Sequence, residues 1–391
     1  SLECAPGMKV VFVRSDKAHH PLELTSTYGS LVDELNVGDR VMLADGTVSL
    51  KVTAKGADHA ECEVVQPGTI RSRQGINLPG VKLAVAALTD ADREAVAWAI
   101  RREVDFLGLS FVRSPEDIAV LRRMLSDVSH PPSIIAKIEK PEALERLEEI
   151  ISASDGVMVA RGDLGVEVDI AQVPVVQKKI VQVANRLRKP VIVATQMLDS
   201  MQNSRLPTRA EVTDVANAIL DGTDACMLSG ETAIGKYPIE SVQMMHRIAV
   251  ATELTMKCCL RSDSESQLHD SNPVTETVVK HAGTIAAELG AKMLITVSRS
   301  GLTALLIAKR RFPVLTVGIS QSLRALRKMA LYWGIVPLQD APVHDPKELL
   351  EFVIAWARRE NLVQSGDRVV FLFGTGAAPS AHNTVAVYVV D

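Results

Sequence analysis

The stretch 155–167, DGVMVARGDLGVE, decides how the centre of this chain is read. Val157, Met158, Val159 and Ala160 are apolar without alternation, the pattern of a strand covered on both faces. The run then turns at once into Arg161, Gly162, Asp163, Leu164 and Gly165. A core strand that ends on a cation, an anion and two glycines asks for a fold in which strand ends carry chemistry.

Outward from that point the chain alternates. Helix patterns over 89–104, 114–128, 141–152, 169–187, 208–221 and 236–256 separate strand patterns over 105–112, 133–139, 155–161, 189–197 and 224–230. Strand-then-helix units in succession imply parallel strands with right-handed crossovers, as a barrel or as an open doubly wound sheet. Residues 1–80 differ: short alternating runs such as KVVFVR and AECEVVQPGTI, with a hairpin signal DGT at 45–47, predict a small antiparallel β domain. The polar run RSDSESQLHDSN (261–272) reads as a linker. After it come a helix over 274–289, strands 293–298 and 314–320, helices 321–333 and 346–361, and a closing pair RVVFLFG and TVAVYVV. The expected division is 1–80, 81–258 and 259–391.

Composition narrows the function classes. The 391 residues carry 43 basic and 47 acidic side chains, a net charge of −4, with no basic run to suggest a nucleic-acid partner. An anionic ligand must therefore be held by local groups rather than by the global field. No apolar run reaches the roughly 18–20 residues of a transmembrane helix, and the opening SLECAPGMKVVFV is not patterned as a signal peptide. Five cysteines without framework spacing are expected to be inert thiols of a reducing, cytoplasmic compartment.

Polar residues collect where the central strands end, the face on which parallel α/β barrels place reactive groups. One strand finishes on Lys137 and Glu139, the next on Arg161, Gly162 and Asp163, the next on Thr195 and Gln196, the last on Ser229 and Glu231. Lys137 and Glu139 are two apart and share a face in an extended strand. Carboxylates from adjacent strand ends, Glu139 and Asp163, suit a hard divalent cation such as Mg²⁺, and Lys137 beside it can stabilise a transferring phosphoryl group. The amides of Gly162 and Asp163 at the start of a helical turn, with the Thr195 hydroxyl, can hold a carboxylate or phosphate. The plain alternatives are a Lys137–Glu139 structural ion pair, ordinary turn glycines, and an Arg161 that bridges to a neighbouring acid, the reading favoured for that arginine. In the last domain Ser298, Ser300, Gly301 and Thr303 follow a strand and open a helix, which is either an anion site or an ordinary strand–helix turn.

These residues resemble the pyruvate kinase family. The stretches IIAKIEKPEALERLEEIISASDGVMVARGDLGVEV, KPVIVATQMLDSM, PTRAEVTDVANAILDGTDACMLSGETAIGKYP, SFVRSPEDI and QGINLPG carry the resemblance, which extends along the chain and weakens in the last domain. It implies an α/β fold: a (β/α)8 TIM barrel whose N-terminal strands are absent from this chain, a β-rich lid inserted into it (1–80), the later five βα units (81–258), and a C-terminal α/β domain (259–391). It implies phosphoryl transfer from phosphoenolpyruvate to ADP, giving pyruvate and ATP in glycolysis. By motif position Lys137 steadies the transferred phosphoryl group, while Glu139 and Asp163 bind Mg²⁺ or Mn²⁺. Gly162, Asp163 and Thr195 hold the substrate carboxylate, Ser229 and Glu231 lie near the water network that protonates the enolate, and Asp45 and Gln74 face the nucleotide. Ser298, Ser300, Gly301 and Thr303 match a loop that binds the phosphate of a sugar-phosphate effector, with 374–384 as its partner loop. A K⁺ requirement and a homotetramer follow from the resemblance alone.

The sequence also departs from that family. It starts inside the lid, so the expectation is a piece of a longer chain; the other reading is a relative that has lost its front. In the lid, Ala44 stands where a second aspartate is usual and Gln74 where a lysine is usual, which bears on nucleotide affinity. Lys140 follows Glu139 where Asn is frequent. The competing functions are a metal-dependent pyruvate-enolate lyase or aldolase, which needs no nucleotide lid, and a catalytically inactive regulatory relative.

Overall fold

The computed structural model describes residues 1–15, 17–44, 46–81, 88–256, 272–374 and 382–391. Its central sheet has five strands, Phe106–Leu109, Ser133–Ile138, Gly156–Ala160, Val191–Ala194 and Ala225–Met227, hydrogen-bonded in chain order. All four pairings are parallel, with Lys137 opposite Met158 and Ile138 opposite Val159. A sheet that winds in one direction without a reversal of strand order is barrel-type, which decides between the two architectures left open by the alternation. The strands are apolar throughout because helices cover one face and inward side chains fill the other; Ile134, Ala136, Ile138, Val157 and Val193 are fully buried.

Local chemistry sets the helix limits. Thr89 and Asp92 form a capping box ahead of Asp90–Arg101, and Thr208 and Glu211 form another ahead of Arg209–Asp221, which ends on left-handed Gly222 (φ +97). Two expected helices are interrupted. The span 141–152 is divided into Pro141–Glu145 and Leu147–Ala153 at Arg146, whose guanidinium pairs with Glu116 and Glu149. The span from 169 begins as a 3₁₀ turn, Ile170–Gln172, capped by the Asp169 carboxylate, before Val173–Arg186 takes over.

The first eighty residues form a six-stranded sheet built around Phe12, Leu35, Leu50 and Val52, beside a small pair Leu2–Cys4 with Gly68–Ile70. The antiparallel expectation holds except for one parallel pair, Lys9–Val13 with Glu23–Leu24. The hairpin turn reaches the barrel: a Cβ on Gly46 (φ +84) would stand 3.3 Å from Val166 Cγ2.

The last domain holds a second five-stranded sheet, ordered Ile335–Leu338, Leu315–Ile319, Met293–Val297, Arg368–Phe373 and Thr384–Val389, with only the final pair antiparallel. Ile335–Leu338 was not expected from the sequence: Pro337 lowers a strand reading, and the strand is tolerated because it lies at the sheet edge. The expected linker 261–272 has only Asn272 within the described residues, where it caps Pro273–Glu288.

Ion pairs join this domain to the barrel. The Asp224 side chain is fully buried between Lys309 and Arg311, and also accepts the Val191 amide at 2.8 Å. Arg311 donates to the Gly222 carbonyl at 2.6 Å and lies 4.9 Å from the Trp333 ring centroid, while Arg188 pairs with Glu276. The thiols of Cys4 and Cys62 are buried, and burial pushes those of Cys62 and Cys226 up to about 12, as inert thiols require; Cys258 and Cys259 lie outside the described residues. Among the described residues no helix is long and apolar enough to cross a membrane.

Candidate active site

The polar strand ends lie at the same end, the C-terminal one, of the parallel barrel sheet. Lys137 and Glu139, on the same side of their strand, form an ion pair of 2.6 Å between Nζ and Oε1. Lys137 Nζ also donates to Ser110 Oγ at 2.9 Å. Glu139 is 1% exposed, and its Oε2 accepts the Phe111 amide at 2.6 Å. Phe111 takes a left-handed backbone (φ +53), and that conformation aims its N–H at the carboxylate. Ser110 and Phe111 escaped the sequence reading because the expected strand ran on to 112, whereas it ends at Leu109. The usable signal was a serine directly after the apolar run FLGL.

The stretch 161–167 is a short helix, Arg161–Glu167, that starts at the strand end without a loop. Gly162 donates its amide to Thr195 Oγ1 at 2.8 Å, and Thr195 Oγ1 donates to the Ala194 carbonyl at 2.6 Å. A Cβ on Gly162 would stand 3.4 Å from Thr195 Oγ1, in van der Waals contact with it. Asp163 is half-buried in the first turn of the helix.

Thr195 and Gln196 both have positive φ (+70 and +55), a costly conformation for a β-branched residue and one that must be held in place. Arg161 holds it. Its guanidinium donates to the Thr195 carbonyl at 2.8 Å and the Gln196 carbonyl at 3.2 Å, and pairs with Asp214 at 2.6 Å. The bridging role favoured for Arg161 is therefore what the structure shows.

Glu231, also 1% exposed, accepts the Leu198 amide on Oε1 at 3.0 Å and the Ser229 amide on Oε2 at 2.7 Å, tying the last two strand ends together. Ser229 Oγ is buried and, among the described residues, has no hydrogen-bond partner, an unusual state for a hydroxyl. The strand ends thus yield three linked pairs: Lys137 with Glu139, Gly162 with Thr195, Ser229 with Glu231.

In the lid, Asp45 lies outside the described residues. Gln74 Oε1 accepts the Arg71 amide at 2.6 Å, so the side chain shapes its own turn. It also lines a polar pocket of about 660 Å³ together with Thr47, Arg71 and Arg73.

At the distal loop, Ser298 Oγ accepts the Thr303 amide at 3.2 Å and Ser300 Oγ accepts the Leu302 amide at 3.4 Å, while Gly301 (φ +88) starts the helix Leu302–Arg310. Thr303 Oγ1 meets His382 Nδ1 at 3.2 Å, and His382 Nε2 bonds the Val297 carbonyl. A carbonyl only accepts, so Nε2 carries the proton and Nδ1 accepts from Thr303. Burial lowers the His382 pKa, against the opposing effect of the Val297 bond. Of the expected partner loop 374–384, residues 375–381 lie outside the described residues.

Among the described residues no group of three or more His, Cys, Asp or Glu side chains forms a cage for a metal ion. The donor set instead fits a hard cation that keeps water and substrate oxygens in its shell: an all-oxygen pair, Glu139 and Asp163, with Glu139 fixed in the wall by a backbone amide.

Comparison with known proteins agrees with this layout. Residues 5–242 match the family model of the pyruvate kinase barrel domain, and residues 276–388 that of the pyruvate kinase alpha/beta domain. The chain is similar to the pyruvate kinase of Geobacillus stearothermophilus, with 39% identity over 399 residues, all of this chain and 67% of that one. It is similar also to that of Bacillus licheniformis, with 38% identity over 395 residues, again all of this chain and 67% of the relative. The chain thus spans about two thirds of the length of these relatives. A crystal structure of a pyruvate kinase from Cryptosporidium parvum superposes with a TM-score of 0.87 at 32% identity, covering all of this chain and 80% of that one.

Proposed function

The chain belongs to the pyruvate kinase family, whose members transfer the phosphoryl group of phosphoenolpyruvate to ADP, and on that premise we propose how its own residues divide the work. Such a transfer offers a protein little covalent chemistry, so positioning and charge stabilisation carry it. Lys137, kept in place by Glu139 and Ser110, neutralises charge on the transferring phosphoryl group.

Glu139 and Asp163 hold the divalent cation, Mg²⁺ or Mn²⁺. Such a cation would supply charge neutralisation to the anionic substrate. The substrate carboxylate seats at Gly162, Asp163 and Thr195, where it takes over the amide that Thr195 Oγ1 now accepts. Ser229, with its buried hydroxyl, and Glu231 order the proton path to the enolate carbon. The lid pocket beside Gln74, Arg71 and Arg73 takes the nucleotide, with Asp45 as a further contact. Ser298, Ser300, Gly301 and Thr303 form the seat of a sugar-phosphate effector. A homotetramer in the cytoplasm with K⁺ dependence completes the reading on family grounds; no residue of this chain is assigned to K⁺.

The observation that carries the proposal is the Lys137–Glu139–Ser110 contact beside the Gly162–Thr195 contact, at neighbouring strand ends. The test is pyruvate formation from phosphoenolpyruvate, coupled to a dehydrogenase, with Mg²⁺ and K⁺ present. Lys137→Met is expected to lower kcat by about 10²–10³-fold or more with the circular dichroism spectrum unchanged. An unaltered kcat removes Lys137 from the chemistry. Pyruvate formation that does not depend on ADP would instead indicate a lyase.

A further inference from the structure

We propose that Lys140 and Glu167 are positioning residues that set the separation of the two carboxylates offered to the divalent cation. The inference rests on the metal role given above to Glu139 and Asp163. Lys140 directly follows Glu139 and forms the N-cap of Pro141–Glu145, so its backbone is anchored on both sides. Glu167 lies four residues beyond Asp163 on Arg161–Glu167, one turn along the same face.

Lys140 Nζ stands 2.6 Å from Glu167 Oε1, and the two side chains are 14% and 1% exposed. A contact this dry is not a surface ion pair of negligible worth: removal of one partner leaves an uncompensated charge in the protein. The link therefore pins the helix that carries Asp163 to the strand end that carries Glu139.

A second contact fixes the other acid. Lys140 Nζ lies 5.9 Å from the centroid of the Phe111 ring, within cation–π range. The Phe111 backbone, in its left-handed conformation, donates the amide that orients Glu139 Oε2. One ammonium thus braces both the residue that aims Glu139 and the helix that bears Asp163. Its commitment to Glu167 and the ring leaves it a brace rather than a phosphate ligand. Magnesium-type sites demand near-ideal octahedral spacing, so the distance between two carboxylates bears directly on affinity.

The test measures Mn²⁺ affinity of the full chain without substrate, from the electron paramagnetic resonance signal of free Mn²⁺, together with the thermal midpoint. Lys140→Met and Glu167→Gln are each expected to raise the Mn²⁺ Kd by about tenfold, a change equal to about 1.4 kcal/mol. Lys140→Arg, which keeps the charge, should stay close to the parent. The double variant Lys140→Met/Glu167→Met removes the unpaired buried charge, so its thermal midpoint should recover while its Kd stays raised. It also keeps the test open if Lys140→Met alone does not fold. Recovery of both quantities together would mean the pair serves stability only, and would overturn the inference. Glu139→Gln is the control for the site itself. If that variant binds Mn²⁺ like the parent, the metal reading fails and takes this inference with it. If it loses Mn²⁺ while the Lys140 and Glu167 variants bind normally, the inference alone fails.

Discussion

Replacing Asp224 by alanine should loosen the junction between barrel and last domain by about 3 kcal/mol. Its side chain is fully buried, and those of its partners Lys309 and Arg311 are only 3% and 4% exposed. Breaking a buried ion pair from one side costs about 3–5 kcal/mol, because the remaining charge has no compensation. Three donors lose their acceptor at once here, the third being the Val191 amide. Two local contacts temper the loss: Lys309 keeps Asn185 Oδ1 at 3.0 Å, and Arg311 keeps the Gly222 carbonyl at 2.6 Å. These retained bonds place the expectation at the lower end of the range. Arg311 stacks on Trp333, so the fluorescence of that tryptophan, with Trp98 and Trp356 replaced by phenylalanine, reports the junction during urea titration. A chain of several domains need not unfold in one step, so the comparison is made on the Trp333 transition. A loss below about 1 kcal/mol, or the same loss in a chain where Lys309 and Arg311 are already methionine, would refute the reasoning.

Thr195→Ala removes the hydroxyl that joins the third and fourth strand ends and should lower kcat by about 10- to 100-fold, whereas Thr195→Ser should remain near the parent in steady-state assays; equal losses would deny the hydroxyl a role. Gly283→Ala drives a methyl group to within 2.0 Å of the Phe312 ring and should lower stability by about 1–3 kcal/mol in chemical denaturation, with no loss if the ring swings freely. His382 has its pKa lowered by burial, so as pH falls the unfolded state takes up the proton first. Its contribution is therefore complete above the ordinary imidazole value of about 6.5 and is lost as pH drops through the lower folded value. Hydrogen exchange at 297–303, corrected for intrinsic rates, should quicken over that interval in the parent but not in His382→Asn, and identical profiles would sink the idea.

Much of the barrel was legible because its strands are both apolar and short. VMVA and VIVA are unbroken apolar runs, as in strands buried on both faces, and each is followed directly by a polar residue, Arg161 and Thr195. The strand limits were less legible, since periodicity does not mark where the last ladder bond forms. That is why Ser110 and Phe111 were read as strand interior. The break at Arg146 was hidden because its cause is tertiary: a guanidinium drawn to Glu116 on another helix. Ile335–Leu338 was missed because Pro337 counts against a central strand, and only the assembled sheet reveals an edge. At the site, residue types and order singled out Lys137, Glu139, Thr195 and Glu231 and allowed the Lys137–Glu139 and Arg161–acid pairs, but not the backbone partners of Glu139, Thr195 and Glu231. Gly162 looked like a donor for a ligand, yet in the structure its amide goes to Thr195. The Lys140–Glu167 pair spans two elements, and no spacing rule within one element could find it.

The bonds between 161–162 and 195 all run from donors on 161–162 to acceptors on Thr195, but side chain and main chain exchange roles. Arg161 donates to the main chain of Thr195, while the side chain of Thr195 accepts from the main chain of Gly162. The helix start at 161–162 and the turn at 195 therefore each hold the other's conformation. The ARGDLG run is accordingly no portable cassette: grafted onto another scaffold without a left-handed threonine opposite, it would lose its shape. Substitutions at the helix start and at the turn around Thr195 should be strongly non-additive, so that the pair can change only together.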